Sequence, residues 1–154
     1  MLMKTLQLFA AFMWSAALAW AADPVVGTWK LNVSKSKFSP GPAPKESTRI
    51  YEARPEGIKV TVKTVQADGS AFTILITENY DGKDYPVVGS PDYDTVELKK
   101  VNEQVAEATL MHGQIVVAHA KREISADGKT MTITYKESPD RARPVNNQAV
   151  YDKQ

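Results

Sequence analysis

The chain has 154 residues, with 19 basic and 18 acidic side chains, and it contains no cysteine. This near balance of charge gives no electrostatic basis for binding nucleic acid or an anionic membrane surface. The absence of cysteine excludes disulfides and thiol catalysis, so burial and hydrogen bonding alone must hold the fold together.

Residues 1–21 have the layout of a secretory signal peptide. Lys4 precedes a long apolar run, and Ala19-Trp20-Ala21 supplies a small-residue cleavage site. A transmembrane anchor is the alternative, but the apolar run is shorter than the roughly 20 residues that a membrane-spanning helix needs. The sequence therefore predicts an exported protein, periplasmic or secreted, with no transmembrane anchor and with residues 22–154 as its one domain.

After residue 25, apolar and polar side chains alternate with a period of two, and no stretch has the spacing of an amphipathic helix. Turn residues separate the alternating segments, among them Asp68-Gly69-Ser70, Asp81-Gly82-Lys83 and Asp127-Gly128-Lys129. Asp-Gly between such segments is typical of hairpins. The pattern predicts strands over residues 25–33, 46–54, 58–66, 71–79, 84–88, 94–101, 104–111, 114–124 and 130–137, and a closing strand over 146–152.

Short turns between successive strands favour an all-β, up-and-down antiparallel β-barrel of about 8–10 strands over a sandwich. A sandwich needs longer connections, and only residues 34–46 and 138–147 could supply them. The first of these holds Pro40, Pro42 and Pro44, so we expect it to run extended or coiled across one end of the barrel.

Both ends of this domain resemble the calycin superfamily, which contains lipocalins and intracellular fatty-acid-binding proteins. Residues 27–31, GTWKL, resemble the Gly-x-Trp opening strand, and the final AVYDKQ resembles the closing strand of the fatty-acid-binding branch. KREISADGKTMTITYK is similar to the hairpin before that strand. The resemblance implies a lipocalin-like barrel whose floor is formed by Gly27 and Trp29. It also implies a basic side chain across the indole, with Arg122 as the candidate and Arg49 as the alternative.

The chain also departs from the fatty-acid-binding pattern in two places. The proline-rich segment 34–46 stands where those proteins have a helix-turn-helix lid, so any lid here is a loop. Their carboxylate clamp consists of two arginines and a tyrosine. In this chain the tyrosine falls on Tyr151, but the arginines fall on Ala120 and Ala149. The clamp is therefore expected to be missing, which disfavours fatty acids as ligands.

Residues that could carry chemistry are few. His112 precedes a turn glycine and His119 lies on a strand, and their separation matches no recognised metal-ligand spacing. Asp92, Asp94 and Glu97 lie close together but lack the glycine and the length of an EF-hand loop. Because no nucleophile, base and orienting group can be assembled, the sequence predicts neither an enzyme nor a metal or cofactor site.

The alternation assigns side chains to the barrel interior. The expected inward set is Trp29, Leu31, Ile50, Val60, Val62, Phe72, Ile74, Ile76, Val96, Leu98, Leu110, Val116, Met131, Ile133, Tyr135 and Tyr151, with small patches at Ala106, Ala108, Ala118, Ala120 and Ala149. The candidate ligand-binding residues are Tyr51, Phe72, Ile74, Tyr135 and Tyr151, and Tyr85 is a further polar group for orienting a guest.

Two functions follow from this barrel. The first is non-enzymatic binding of a small apolar or amphipathic ligand. The second is a structural or inhibitor-like interaction module with a filled barrel, which would contact a protein partner through loops 34–46 and 85–93. Around the first loop the sequence gathers Phe38 and four lysines: Lys30, Lys35, Lys37 and Lys45. These residues either form a rim that binds a ligand or partner, or form an ordinary solvated surface. A cavity of a few hundred Å³ would favour the first function.

Overall fold

The computed structural model describes residues 22–154, so the predicted signal peptide lies outside the described residues. They form ten strands, each antiparallel to the next, and the first strand also pairs with the last. The strands are β1 (Gly27–Leu31), β2 (Glu46–Arg54), β3 (Gly57–Val65), β4 (Ala71–Glu78), β5 (Asp81–Val88), β6 (Thr95–Lys100), β7 (Val105–His112), β8 (Ile115–Ile124), β9 (Thr130–Glu137) and β10 (Asn146–Lys153). This closed barrel confirms the predicted fold class. Between residues 22 and 154, no helix has the length and apolarity to cross a membrane.

The hairpin of β2 and β3 decides which polar side chains enter the barrel. Its two-residue turn sets a register in which Arg49 lies opposite Val62 and Tyr51 lies opposite Val60. Directly opposed residues share a face of the sheet, and both valines are buried, so Arg49 and Tyr51 face the interior. The expectation that Ile50 points inward is wrong, because adjacent residues of a strand face opposite sides.

A β-bulge between β7 and β8 changes the alternation in β8. Leu110 pairs with Ala118, but Met111 pairs with Val116, so Val117 is an additional residue on one strand. Such an insertion shifts the side chains beyond it relative to the sheet. Val117 is buried and Val116 is 41% exposed. The expectation that Val116 points inward is therefore wrong.

Within residues 22–154, the pairing of β4 with β5 is shorter than that of any other two consecutive strands. It consists of two residue pairs, Leu75 with Val88 and Ile76 with Val87. We call this contact the β4–β5 seam. Residues 79–80 connect the strands and β5 begins at Asp81, so the turn expected at residues 81–83 is wrong.

The two ends of the barrel differ in their connections. The end that holds the start of β1 has short turns and is here called the closed end; these turns are residues 55–56, 79–80, 101–104 and 125–129. The opposite end is called the open end. It carries the three longest connections, at residues 32–45, 89–94 and 138–145, together with the turns at residues 66–70 and 113–114.

Trp29 blocks the closed end. Its side chain is fully buried, and its Nε1 donates a hydrogen bond of 2.8 Å to the carbonyl of Val25, which is itself fully buried. The cation over the indole is Lys153, whose Nζ lies 5.1 Å from the ring centroid. Gly27 has a φ of +137°, and a Cβ there would lie 2.9 Å from Cε of Lys153. Gly27 therefore makes room for the lysine that covers the tryptophan.

The expected contact between Arg122 and this indole is replaced by others. The Arg122 guanidinium lies over the rings of Tyr51 and Tyr80, at 5.4 Å and 5.5 Å from their centroids. Arg49, the alternative, lies over the Tyr151 ring at 5.4 Å. The physical reason is that both arginines occupy inward positions of the barrel wall, whereas Lys153 reaches the ring from the end of β10.

The proline-rich segment 34–46 begins in a short 3-10 helix, Val33–Lys35, and then runs beside β10. The backbone of Lys37 exchanges two hydrogen bonds with Gln148, each 2.8 Å long. The Ser36 hydroxyl accepts a hydrogen bond from the Val150 amide at 2.8 Å. These bonds place Phe38 at the open end, where its side chain lines the interior.

Candidate functional site

The barrel encloses a cavity of about 350 Å³ that reaches from the closed end to the loops of the open end. This volume lies within the range of small-molecule sites, which is roughly 300 to 1,000 Å³. Most of the wall is apolar and comes from the inward positions of the strands; it includes Val60, Val62, Val96, Leu98, Leu110 and Ile133. Three of the five expected alanines, Ala108, Ala120 and Ala149, also line it.

All five residues predicted to bind a ligand line this cavity: Tyr51, Phe72, Ile74, Tyr135 and Tyr151. Tyr51 and Tyr151 lie beside the arginines of the interior, and the other three lie on the wall toward the open end. Tyr85, the further polar candidate, instead donates a hydrogen bond of 2.8 Å to the Asp81 carboxylate. The structure thus brings together the predicted wall but leaves Tyr85, a half-buried residue of β5, outside the lining of the cavity.

Two arginines, Arg49 of β2 and Arg122 of β8, supply positive charge to the inner part of the cavity; we call them the arginine pair. Nη1 of Arg49 lies 3.4 Å from the Tyr51 hydroxyl, and Nη2 of Arg122 donates a hydrogen bond of 2.5 Å to Tyr80. The Nε atoms of both are buried and have no hydrogen-bond partner among residues 22–154. Since guanidinium groups stay protonated in proteins, each retains an unused donor and a full charge in the interior.

The resemblance placed alanines where that clamp has its arginines, yet two arginines line the cavity. Ala120, Ala149 and Tyr151 do line the cavity, as the resemblance implied. However, the arginines come from other positions on the wall, Arg49 and Arg122. The register of the β2–β3 hairpin was the missing signal, because the two-residue turn places residue 49 opposite the inward Val62.

Glu78, the last residue of β4, is a third charged group at the inner end of the cavity. Its side chain is buried, with 6% of its surface exposed. Burial raises the pKa of Glu78 to about 7, although the charges of Arg122 and then Arg49 oppose this shift. Among residues 22–154, neither arginine forms an ion pair with it within 4.0 Å.

Tyr80 connects the arginine pair to the segment before β1. Its hydroxyl accepts the bond from Arg122, and burial, against the opposing charge of Arg122, raises the pKa of Tyr80 far above its ordinary value, with a hydrogen bond to Asp23 adding to the rise. Asp23 also caps the Val25 amide at 3.0 Å and pairs with Lys100 at 3.6 Å. The position of Arg122 is thus fixed from the closed end.

Aromatic side chains surround the mouth of the cavity at the open end. They are Phe38, Phe72, Tyr93 and Tyr135. Two carboxylates also lie here, of which Glu137 faces Arg141 at 3.7 Å and accepts a bond of 2.9 Å from the Val145 amide; Asp92 is exposed. Of the charged side chains that line the cavity, both basic ones therefore lie at the inner end, and these two acids lie at the mouth.

The remaining residues considered for chemistry lie on the outside. His119 is exposed on β8, and Nδ1 of the exposed His112 lies 3.5 Å from the Asp94 carboxylate. Asp94 in turn accepts hydrogen bonds from the Gly113 amide and the Thr95 hydroxyl, so it organises a turn. Within the described chain, no three histidine or acidic side chains are grouped closely enough to hold a metal ion.

Comparison with known proteins does not assign the chain to a family. No protein-family model matches it, and no curated protein is significantly similar to it. The ten-stranded antiparallel barrel is consistent with a calycin-like fold. Any function must therefore be argued from the cavity and its charges.

Proposed function

We propose that this chain is an exported, non-enzymatic, lipocalin-like binding protein that holds one small amphipathic anion inside its barrel. The observation that carries the proposal is the apolar cavity of about 350 Å³ with two buried, incompletely bonded guanidinium groups at its inner end. A buried charge is unfavourable unless it is paired. A negatively charged ligand group would supply the missing partner.

The distribution of side chains orients such a ligand. Its anionic group would lie against the arginine pair, with the Tyr51 and Tyr151 hydroxyls beside it, since charge-assisted hydrogen bonds to guanidinium are the strongest that the cavity offers. Its apolar part would extend along the valines and leucines of the wall toward Phe72 and Tyr135. Phe38, at the mouth, would cover the end of that apolar part.

Export is the second part of the proposal, and it rests on the signal-like residues 1–21. Mass spectrometry of the protein recovered from the periplasm or medium of an expressing bacterium gives its first residue. We expect Ala22. Recovery of the uncleaved chain in the cytosol would contradict export but would leave the binding proposal intact.

The alternative, an interaction module with a filled barrel, has less support. The interior is open, and Tyr93, expected to project from loop 85–93 as a protein contact, instead lines the cavity. The other loop, 34–46, is bonded to β10 over its first residues. Both observations favour a container whose loops cover a ligand.

Calorimetric titration with three ligands of equal chain length tests the binding proposal: decanoate, decanol and decyltrimethylammonium. We expect saturable binding with decanoate the tightest. Arg49→Gln and Arg122→Gln should each weaken the binding of decanoate by about tenfold or more, as expected for loss of a charged hydrogen bond. Both substitutions should affect the binding of decanol much less.

Arg54→Gln is the matched control, because Arg54 lies on the same strand as Arg49 but pairs with Glu52 at the exposed end of β2. It should bind decanoate like the native chain. Equal affinity for the anion and the alcohol, or no saturable binding of any of the three, would contradict the proposal.

A further inference from the structure

The inner end of the cavity holds an acid as well as the arginine pair. Glu78 ends the inward row of β4 that begins with Phe72 and continues through Ile74 and Ile76. Its carboxylate faces the same enclosed space as the two guanidinium groups, without reaching salt-bridge distance of either within the described chain. The acid therefore modulates the charge of the site without neutralising it.

Charged and titratable groups approach Glu78 from several elements. Arg122 of β8 and Arg49 of β2 are the positive groups whose charges act on it. Tyr85 of β5 and Tyr93 of the loop after it are the tyrosines on which its own charge acts. From β3, its cross-strand neighbour is the apolar Ile58. Two positive groups are thus opposed by one acid.

We propose that this site takes up its anion together with one proton, which Glu78 accepts. The inference rests on the binding function proposed above. An anion at the arginine pair places a second negative charge beside the Glu78 carboxylate in a cavity lined mostly by apolar side chains, where like charges repel more strongly than in bulk water. Protonation of the carboxylate removes that repulsion.

The charges balance in this scheme. In the empty barrel, two guanidinium groups and one carboxylate leave a single positive charge at the inner end. After binding, the ligand anion takes the place of the carboxylate charge, the proton lies on Glu78, and the single positive charge remains. No bond other than the new O–H bond of Glu78 is formed, and the interior gains no net charge.

This coupling gives the affinity a defined dependence on pH. The pKa of Glu78 is about 7 in the empty barrel, and a bound anion raises it further. Affinity is then greatest when Glu78 is already protonated, and it falls by up to about tenfold per pH unit above that point, until the higher pKa of the complex is passed. A neutral ligand of the same length should show no such fall.

Calorimetry with decanoate in buffers of different ionisation enthalpy measures the proton uptake directly. At pH 8 we expect close to one proton taken up per decanoate bound, and a weakening of up to about fivefold between pH 7 and pH 8, because about half of the Glu78 carboxyls are already protonated at pH 7. Glu78→Gln should bind decanoate with no proton uptake and with the same affinity at both pH values. Glu107→Gln is the control, because Glu107 is exposed on β7 and should behave like the native chain.

Carbon NMR of the Glu78 carboxyl in the native chain provides a measurement that needs no variant. Its titration midpoint should move to higher pH when decanoate is added. Saturable binding without proton uptake, and without a shift of that midpoint, would overturn the inference while leaving the proposed function standing. Absence of saturable binding at every pH, in the native chain and in Glu78→Gln, would overturn both.

Discussion

The indole of Trp29 is held by three different interactions. It is buried on all sides, its Nε1 donates to the Val25 carbonyl, and its face lies beneath Lys153. The hydrogen bond fixes the indole to the segment before β1. Substitution of this one side chain is therefore expected to destabilise the closed end.

Trp29→Phe should lower the free energy of unfolding by about 2–4 kcal/mol, because it leaves a void and an unpaired buried carbonyl. Lys153→Met keeps most of the aliphatic stem and removes only the cation, so it should lower that free energy by no more than about 1 kcal/mol. Urea unfolding monitored by circular dichroism compares the two. Equal losses would show that the indole acts only through contact with Lys153.

The acid Glu78 should make stability depend on pH in an unusual window. Its pKa is raised from 4.5 to about 7 in the folded chain, so the folded state holds this proton more tightly than the unfolded state. The stability that it contributes is complete below about pH 4.5 and is lost as the pH rises through 7. The full loss is about 3 kcal/mol.

Glu78→Gln should therefore gain stability relative to the native chain as the pH is raised from 4.5 to 8. Urea unfolding at intervals across this range measures the difference, and Glu107→Gln, at an exposed position, is the control. Parallel curves for the native chain and Glu78→Gln would contradict the raised pKa.

Arg49 and Glu78 could have been placed inside the barrel from the sequence, but their approach to each other could not. Arg49 was accessible in principle, because two valines of β3 and a two-residue turn determine its side of the sheet. Glu78 also continues the inward row of Phe72, Ile74 and Ile76. Their mutual approach was not accessible, since it depends on how ten strands wind around one interior.

At the scale of elements, Gly89 determines how β5 meets β4. It follows β5 with a φ of +88°, and a Cβ at this position would overlap the carbonyl oxygen of Thr73. Gly128 provides a comparison, because its φ is +71° and a Cβ there would have nothing within 4 Å.

Gly89→Ala should destabilise the barrel by about 3 kcal/mol, the sum of backbone strain and a clash with the backbone of β4. Gly128→Ala should lose only about 1 kcal/mol, from the strained φ alone. Denaturant unfolding of both variants measures the difference. Similar losses of stability in the two variants would mean that the backbone of β4 shifts at little energetic cost to accommodate the new methyl group.

The strands themselves were predicted closely, and the errors share one cause. Alternation and turn residues depend on local sequence, so nine of the ten predicted segments match strands to within about two residues, and the tenth, β5, begins three residues earlier than predicted. The bulge at Val117 and the early turn at 79–80 depend on how neighbouring strands pair, which no local pattern reports. Val116 and the start of β5 were misplaced for that reason.

At the scale of the molecule, the described strands form one closed sheet whose shortest pairing is the β4–β5 seam. Hydrogen exchange should show this directly. Peptides covering residues 77–86 should exchange faster than peptides covering residues 46–65, because a short pairing leaves more amides open to water. Exchange that is equally slow in both regions would contradict a weak seam. Saturation with decanoate should slow both, since a ligand stabilises only the folded state.

The barrel as a whole followed from its sequence, but the cavity did not. Closure was predicted from the meander of short hairpins, and the structure confirms it. The volume inside depends on strand tilt and on the fit of every inward side chain. Small inward residues such as Ala108 and Ala120 permitted an empty interior without requiring it.

The brevity of the seam also governs how this cylinder fails. A closed barrel can open into a flat sheet only after one pair of neighbouring strands separates. At the seam, this separation breaks only the pairs made by Leu75 and Ile76. Unrolling would turn β4 and β5 into two free borders, each able to pair with a border of another copy. Heat-induced aggregation of this protein should therefore begin at β4 and β5.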